Sequence, residues 1–396
     1  MDREKRIRLI GAIVLIGFWV AVVYHYELGV VEGIGYPFNT FLYRPGFQFA
    51  DFPNFLSMSV NFDPYLHPNL LGPGNYLPFV FIIGFILTRL GPLPVVLLLF
   101  LTLSYAFTLL ISYFNLRMEN KIDTFTQAFI YSSLTYPILI SLDRANMELL
   151  SFAFLYLFIY YYQRQNRGAS VAFLALAVTM KIFPAVFFVL LAVDRKFRDL
   201  AYTIILILLL NVTAYAIMPG GIIANFNGNL AGFANWENFN AGTVGLIFSH
   251  NLTNLISVFF LFTGQVNAIP TFAMPYTIFA FLFFSLITIY IFLWEKDFWK
   301  KVALLVLAMD LLTNRGYDYK LLYLYIPLFL FINTLRREKL DLLYAVLFGL
   351  LLIPKAYYHF PALPEANISI LLNPLLMLGL MFVIIGSGVK SHFFQT

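Results

Sequence analysis

The sequence predicts an all-α, polytopic membrane protein, a transmembrane helical bundle, and three observations carry that prediction. Hydrophobic residues make up 61% of the 396-residue chain and charged residues only 11%, with a mean hydropathy of +0.82. A water-soluble domain this apolar could not cover its own surface. Apolar runs also recur at the ~20-residue length that crosses a bilayer core. Finally, most Lys and Arg residues stand beside those runs rather than within them, as cytoplasmic anchors do. The expectation is about 10–13 membrane segments, several broken or re-entrant, with two long extracytoplasmic loops.

The first run follows the basic stretch Arg3 to Arg8. Residues 9–26 contain Trp19, Tyr24 and Tyr26 and lack a small-residue cleavage pattern, so they read as a retained span and not a cleaved signal. Cysteine is absent, which excludes disulfides and thiolate metal sites. The net charge of +5 and pI near 9.1 belong to membrane anchoring and indicate no nucleic-acid partner.

Eighteen of the 25 basic residues fall beside apolar runs: Arg3/Lys5/Arg6/Arg8, Arg117/Lys121, Arg164/Arg167, Arg195/Lys196/Arg198, Lys296/Lys300/Lys301, Arg336/Arg337/Lys339 and Lys390. Placing them all inside gives a consistent path with both termini cytoplasmic. The first span exits near Glu27, and residues 29–75 form the first outer loop. Residues 76–90 are re-entrant, and spans follow at 92–115, 124–141 and 147–162. Residues 169–193, held between two inner clusters, make a hairpin broken near Lys181–Pro184. Residues 218–270 form the second outer loop, in which 243–263 lies along or dips into the outer face. Residues 302–335 form a second hairpin broken near Asn314–Gly316. A rival path lets 76–90 cross and moves Arg117 and Arg164 outside. In either path residues 1–396 form one membrane domain: an N-terminal module 1–217, the second loop 218–270 and C-terminal helices 271–396.

Seven basic residues remain: Arg44, Arg89, Arg144, Lys181, Arg315, Lys320 and Lys355. Charges at bilayer depth cost several kcal/mol and persist where they line a cavity or a reaction path. The plain alternative for each is an interfacial snorkeller or a structural ion pair. Lys181, in Thr179-Met180-Lys181-Ile182-Phe183-Pro184, has no carboxylate near it in sequence and precedes a helix-breaking proline. An unpaired lysine there calls for an anion such as phosphate. Arg144, in Asp143-Arg144-Ala145-Asn146-Met147-Glu148, can pair locally with Asp143 or Glu148. In Asn314-Arg315-Gly316-Tyr317-Asp318-Tyr319-Lys320, charged and aromatic groups alternate, the mix that sugars require. In the first loop, Asp51 follows Phe49 and Ala50, and desolvation there would raise its pKa toward that of a general base. Asp63, in Asp63-Pro64-Tyr65, reads as turn chemistry. No phosphate-cradling glycine loop and no zinc-type histidine pair occurs. His67, His250 and His359 are isolated and read as bystanders.

Taken in order, these motifs resemble the membrane-embedded glycosyltransferases of the GT-C superfamily. The aspartate after the first span, Asp63-Pro64-Tyr65 and Tyr76-Leu77-Pro78 all match that pattern. More narrowly, Arg144-Ala145-Asn146-Met147-Glu148 is similar to an Arg-Gly-Asn-x-Glu element and Lys181-Ile182-Phe183-Pro184 to a Lys-Ile-Tyr-Pro element. Both elements occur in glycosyltransferase family 87, the polyprenol-phosphate-mannose-dependent mannosyltransferases, and in the first mannosyltransferase of GPI-anchor synthesis. Asn238-Phe239-Asn240-Ala241-Gly242 resembles the Asn-Gln-Ser-x-x-Gly stretch of the second loop. Two departures stand out: the family glycine is Ala145, and a late histidine gives way to Tyr319 or Asp318.

The resemblance implies a GT-C-type bundle in a bacterial or archaeal cell membrane, with its active site extracytoplasmic. It implies inverting transfer of mannose or a related hexose or pentose from a polyprenyl-phosphate donor to a lipid or glycan acceptor. Asp51 would be the general base. Lys181, Arg144, Lys320 and Arg315 would bind the donor phosphate. Tyr317, Asp318, Tyr319, Asn146, Glu148, Asn240 and Trp236 would hold sugar or acceptor. No nucleotide or soluble cofactor is needed, and nothing demands a divalent cation. A transporter or flippase for a lipid-linked saccharide, or a surface-polysaccharide polymerase or ligase, would also use broken helices or lipid-linked sugars.

Overall fold

The computed structural model describes residues 1–66, 74–240, 249–265, 268–314, 316–361 and 363–393. It is an all-α polytopic bundle, 75% helical. Its one two-stranded sheet among the described residues pairs His359–Phe360 with Leu363–Asn367. Among the described residues, five helices are long and apolar enough to cross a membrane: Arg3–Val31, Leu93–Asn115, Phe197–Ile217, Thr271–Leu293 and Ser369–Lys390. Further apolar helices, such as Pro78–Leu90 and Arg167–Met180, have 10–17 residues. At 1.5 Å per residue they are too short to span a core of about 30 Å alone.

Side-chain caps start several helices, replacing backbone partners that the first turn lacks. Asp2 accepts from the Lys5 amide, Asn120 from Ile122, Asn166 from Ala169 and Asn251 from Asn254. Both expected breaks fall where the sequence places them. The Arg167–Met180 helix stops at Lys181, whose backbone is extended. A 3-10 turn, Phe183–Phe187, follows with Pro184 in its first turn. The Phe298–Leu311 helix likewise ends before a 3-10 segment, Asp318–Leu324, that leads into the Tyr325–Asn333 helix.

Two stretches differ from expectation. The span expected over 124–141 is two helices, Lys121–Ser133 and Tyr136–Arg144, parted at Leu134–Thr135. The second outer loop is largely helical, with Gly221–Asn240 and Leu252–Phe262. Its Gly and Asn residues serve tertiary contact. Gly228 lies so close to Tyr65 that a Cβ would sit 2.9 Å from the Tyr65 carbonyl oxygen. Asn225 and Asn229 donate to the backbone at Gly221 and Tyr76.

The chain folds as two compact units. One comprises residues 47–105 and 141–242. In it the Glu148–Gln163 helix runs along Arg167–Met180, where Ser151 donates to the Ala177 carbonyl at 3.2 Å. Gly84 lets the Asp51–Ser59 helix lie directly on Pro78–Leu90, where a Cβ would strike Ser59 and Phe55.

The other unit comprises residues 1–46, 106–140 and 243–396. Its most buried element is Phe298–Leu311. The Arg3–Tyr26 helix packs on Asp341–Leu352, with Gly17 against Ile353 and Gly349 against Ile13, the small-residue contact by which membrane helices approach closely. Arg6, 1% exposed, donates to Asp341 at 2.6 Å and to the carbonyls of Phe331, Thr334 and Arg336. An anchoring arginine is thus wholly internal.

Asp341→Ala would strand that guanidinium as a buried charge and should cost about 3 kcal/mol or more. A thermal unfolding midpoint in detergent, compared with that of exposed Lys5→Ala, measures it; equal midpoints would show that the carbonyls alone suffice.

Candidate active site

Within the unit of residues 47–105 and 141–242, the first loop and the turn after Tyr136–Arg144 are stitched together by their backbones. The Phe49 amide donates to the Asp143 carbonyl at 2.6 Å, and the Arg144 guanidinium donates to the Phe47 carbonyl at 3.2 Å. This brings Asp51, the first residue of its helix, against the Arg144–Asn146 turn. The guanidinium of Arg144 forms an ion pair with one carboxylate oxygen of Asp51. The Asn146 amide donates to the other oxygen at 2.6 Å. Its own carbonyl oxygen accepts from the Glu148 amide at 2.9 Å, so one side chain both starts the next helix and aims Asp51. Beyond the local partners expected for Arg144, Asp143 and Glu148, the fold supplies Asp51. The apolar setting expected around Asp51 holds a cation instead.

Lys181 is not unpaired, contrary to the reading of its apolar stretch. Its ammonium lies 3.6 Å from a Glu148 carboxylate oxygen and 4.4 Å from the centroid of the Tyr76 ring. The carboxylate comes from a neighbouring helix 33 residues away in sequence, which no local window could show. Glu148 is 0% exposed, and neither of its oxygens makes a hydrogen bond. The Lys181 and Arg144 side chains keep 17% and 14% of their surface. Trp236 lies half-buried on the Gly221–Asn240 helix, where Asn240 is the last residue. The rest of the Asn238–Gly242 element lies outside the described residues or side chains.

In the other unit, Asp318 opens the 3-10 segment after the second break and is 6% exposed. Tyr136 donates its hydroxyl to one Asp318 oxygen, and the other lies 3.2 Å from His250 Nε2. His250 also meets Ser369 Oγ at 3.1 Å and the Asn373 amide at 3.0 Å. Lys355 is buried nearby and donates to the Ile353 carbonyl at 2.9 Å. These three groups lie in connections outside the five long spans. Burial raises the Asp318 carboxyl to about 7, against the Tyr136 hydrogen bond. Burial also lowers Lys355 to about 7, opposed by Asp318. Burial and the Lys355 charge push His250 down to about 3, so it is neutral, its contact with Asp318 is no ion pair, and that Asp318 oxygen has no hydrogen-bond partner. His250 and His359, isolated in sequence, are not isolated in space: His250 meets Asp318, and His359 lines a cleft beside it. Their isolation in sequence hid this.

Tyr317 and Tyr319 are half-buried with their rings 5.6 Å apart. Lys320 is buried and donates to Thr313 Oγ1 at 3.1 Å. Arg315 and His67 lie outside the described residues. Asp63 accepts from the Leu66 amide at 3.3 Å, as a turn residue does. Among the described residues no group of three His, Asp or Glu side chains could hold a metal ion.

The model of glycosyltransferase family 87 matches residues 76–313. No curated protein and no solved structure matches the chain. The matched region contains Arg144, Asn146, Glu148 and Lys181, and it contains Ala145 where the resembling element has glycine. Ala145 is fully buried with φ +48°, a left-handed conformation that costs a residue bearing a Cβ roughly 1–2 kcal/mol. The geometry thus accounts for glycine in the element. Ala145→Val, β-branched and without room, should destabilise by more than about 2 kcal/mol, while Ala145→Gly should stay within about 1 kcal/mol of wild type. Thermal unfolding of the two variants checks this; a well-tolerated valine would mean the turn is not held left-handed.

Proposed function

Because this chain belongs to glycosyltransferase family 87, we propose that its sugar comes from a polyprenyl-phosphate carrier and passes, with inversion, to a lipid or glycan acceptor at the extracytoplasmic face. The sugar is mannose or a related hexose or pentose. The observation supporting this most directly is the meeting of Asp51, Arg144, Asn146, Glu148, Lys181 and Tyr76 inside one unit.

In this reading Asp51 accepts the proton of the acceptor hydroxyl as that oxygen attacks the anomeric carbon. The bond from that carbon to the phosphate oxygen breaks, and the electron pair stays on the phosphate. A lipid phosphate is already a good leaving group, so the protein's main task is to place positive charge beside it. Lys181 is the first candidate, because its ion pair with Glu148, at 3.6 Å, is too long to be a hydrogen bond and its side chain keeps 17% of its surface. Arg144 is committed to Asp51 and therefore positions the base, reaching the phosphate only by releasing it. Lys320 and Arg315 stand as further phosphate ligands on the sequence pattern. Asn146, Glu148, Tyr317, Asp318, Tyr319, Asn240 and Trp236 remain candidates for sugar and acceptor. No nucleotide or soluble cofactor enters the scheme.

Membranes carrying the protein, supplied with radiolabelled polyprenyl-phosphate mannose, provide the test. Asp51→Asn should lower transfer by roughly 10²–10⁴-fold, the usual worth of a general base. Lys181→Ala should lower it by roughly 10²-fold or more, as loss of one transition-state charge partner does. Full transfer by Asp51→Asn would remove the base assignment. Movement of an intact lipid-linked saccharide across vesicles, with no transfer from any such donor, would favour a flippase instead.

The proposed orientation has its own check, made simple because the chain contains no cysteine. Single cysteines at the exposed positions Glu32 and Glu119 should label differently with an impermeant maleimide. Position 32 should react in intact cells and position 119 only after permeabilisation. The reverse pattern would put the active face on the cytoplasmic side.

A further inference from the structure

One cleft in the unit of residues 1–46, 106–140 and 243–396 has no part in the scheme above, although Asp318 lies in its wall. Its lining comes from four separated stretches and includes Tyr36, Tyr43, Tyr136, Asp318, Glu365 and Asn367. Each of these six carries a hydrogen-bonding group, and three are aromatic. The enclosed volume is about 20 Å³, which admits one water-sized group.

This combination selects a class of ligand. Two carboxyl groups, Asp318 and Glu365, oppose a phosphate or any other anion. A whole pyranose ring does not fit the enclosed space, but one hydroxyl does. Ring faces at the mouth suit the C–H surface of a sugar, since aromatic rings combine large apolar area with a polar tip. Tyr136 already holds one Asp318 oxygen and His250 meets the other, so an entering hydroxyl finds these groups fixed in place. Burial and the nearby Glu365 raise the Tyr36 phenol above its ordinary value, so it stays protonated and can donate.

We infer that this cleft is a hydroxyl-reading saccharide subsite: one hydroxyl of a sugar enters between Tyr136, Asp318 and Glu365 while the ring rests on the aromatic mouth. None of Tyr36, Tyr43 and Glu365 belongs to a motif of the sequence. The inference rests on the glycosyltransferase reading for its choice of a saccharide. Its role there is to select which sugar or glycan terminus is held, by leaving buried polar groups unmatched when that hydroxyl is missing or inverted.

Saturation-transfer NMR on the full chain in lipid nanodiscs tests it, with the methyl α-glycosides of mannose, glucose and galactose and their deoxy analogues as probes. Wild type should favour one epimer over its deoxy analogue by about tenfold or more, the loss expected when a hydroxyl's bond to a charged group is removed. Asp318→Asn and the rim variant Glu365→Gln should each flatten that contrast, and Asp51→Asn should leave it intact. Glu365→Gln, at a half-buried rim position, keeps the test decisive where Asp318→Asn does not fold. Absence of saturation for every glycoside, or contrasts unmoved by both variants, would overturn the subsite. Transfer assays separate the two readings. A flat NMR contrast with Asp51-dependent transfer removes only the subsite. An intact contrast without any transfer supports a saccharide subsite and removes the enzyme scheme.

Discussion

A charge removed from water must be met by an opposite charge or a hydrogen bond inside the protein, and in a chain this apolar nearly every functional feature follows from that constraint. The effective desolvation penalty is several kcal/mol per ion even after relaxation, and bilayer depth offers no water to reduce it. Arg6 meets it with Asp341 and three carbonyls. Arg144 meets it with Asp51, and that one pairing ties the first loop to the Arg144–Asn146 turn. Lys181 meets it with Glu148 and the face of Tyr76. Asp318 meets it by a rise in its own pKa and by the hydroxyl that Tyr136 donates to one of its oxygens.

The same constraint decides what was legible in the sequence. Apolar runs, basic clusters and the two helix breaks are local signals, set by 20-residue windows and by Pro184 or Gly316. They predicted the all-α bundle and the position of both hairpin breaks. Pairing is not local. Glu148 and Lys181 lie on successive helices, and Asp51 and Arg144 are 93 positions apart, so no spacing rule joins them. Reading Lys181 as unpaired was the natural error of a linear window. His250 escaped notice for the same reason, since its partners Asp318, Ser369 and Asn373 come from distant stretches. The helices of the second outer segment were equally out of reach, because its Gly and Asn residues serve close contact with Tyr65 and Tyr76.

Ala145 shows a different relation between pattern and geometry. The resembling element has glycine at a point where the chain must turn left-handed to carry Arg144 and Asn146 to the same carboxylate. Here alanine adopts that backbone, the smallest side chain that carries the strain of a Cβ. The turn is what the element preserves, and glycine is only its easiest occupant. That is why the departure at this position leaves the Asp51 contacts in place.

The two units divide the chemistry by charge. Residues 47–105 and 141–242 hold two cations with part of their surface open, next to two carboxylates that keep the cluster neutral until an anion arrives. Residues 1–46, 106–140 and 243–396 hold a cleft lined by the carboxyl groups of Asp318 and Glu365, inferred above to take a hydroxyl. A lipid-phosphate sugar and its acceptor present both kinds of group, a phosphate with negative charge and rings carrying neutral hydroxyls. A single cluster serving both would set its cations against its hydroxyl-reading carboxylates, each neutralising the other. In the scheme proposed above, keeping the carboxylates of one task in a separate unit from the cations of the other would let Lys181 answer to a phosphate and Asp318 to a hydroxyl without that competition.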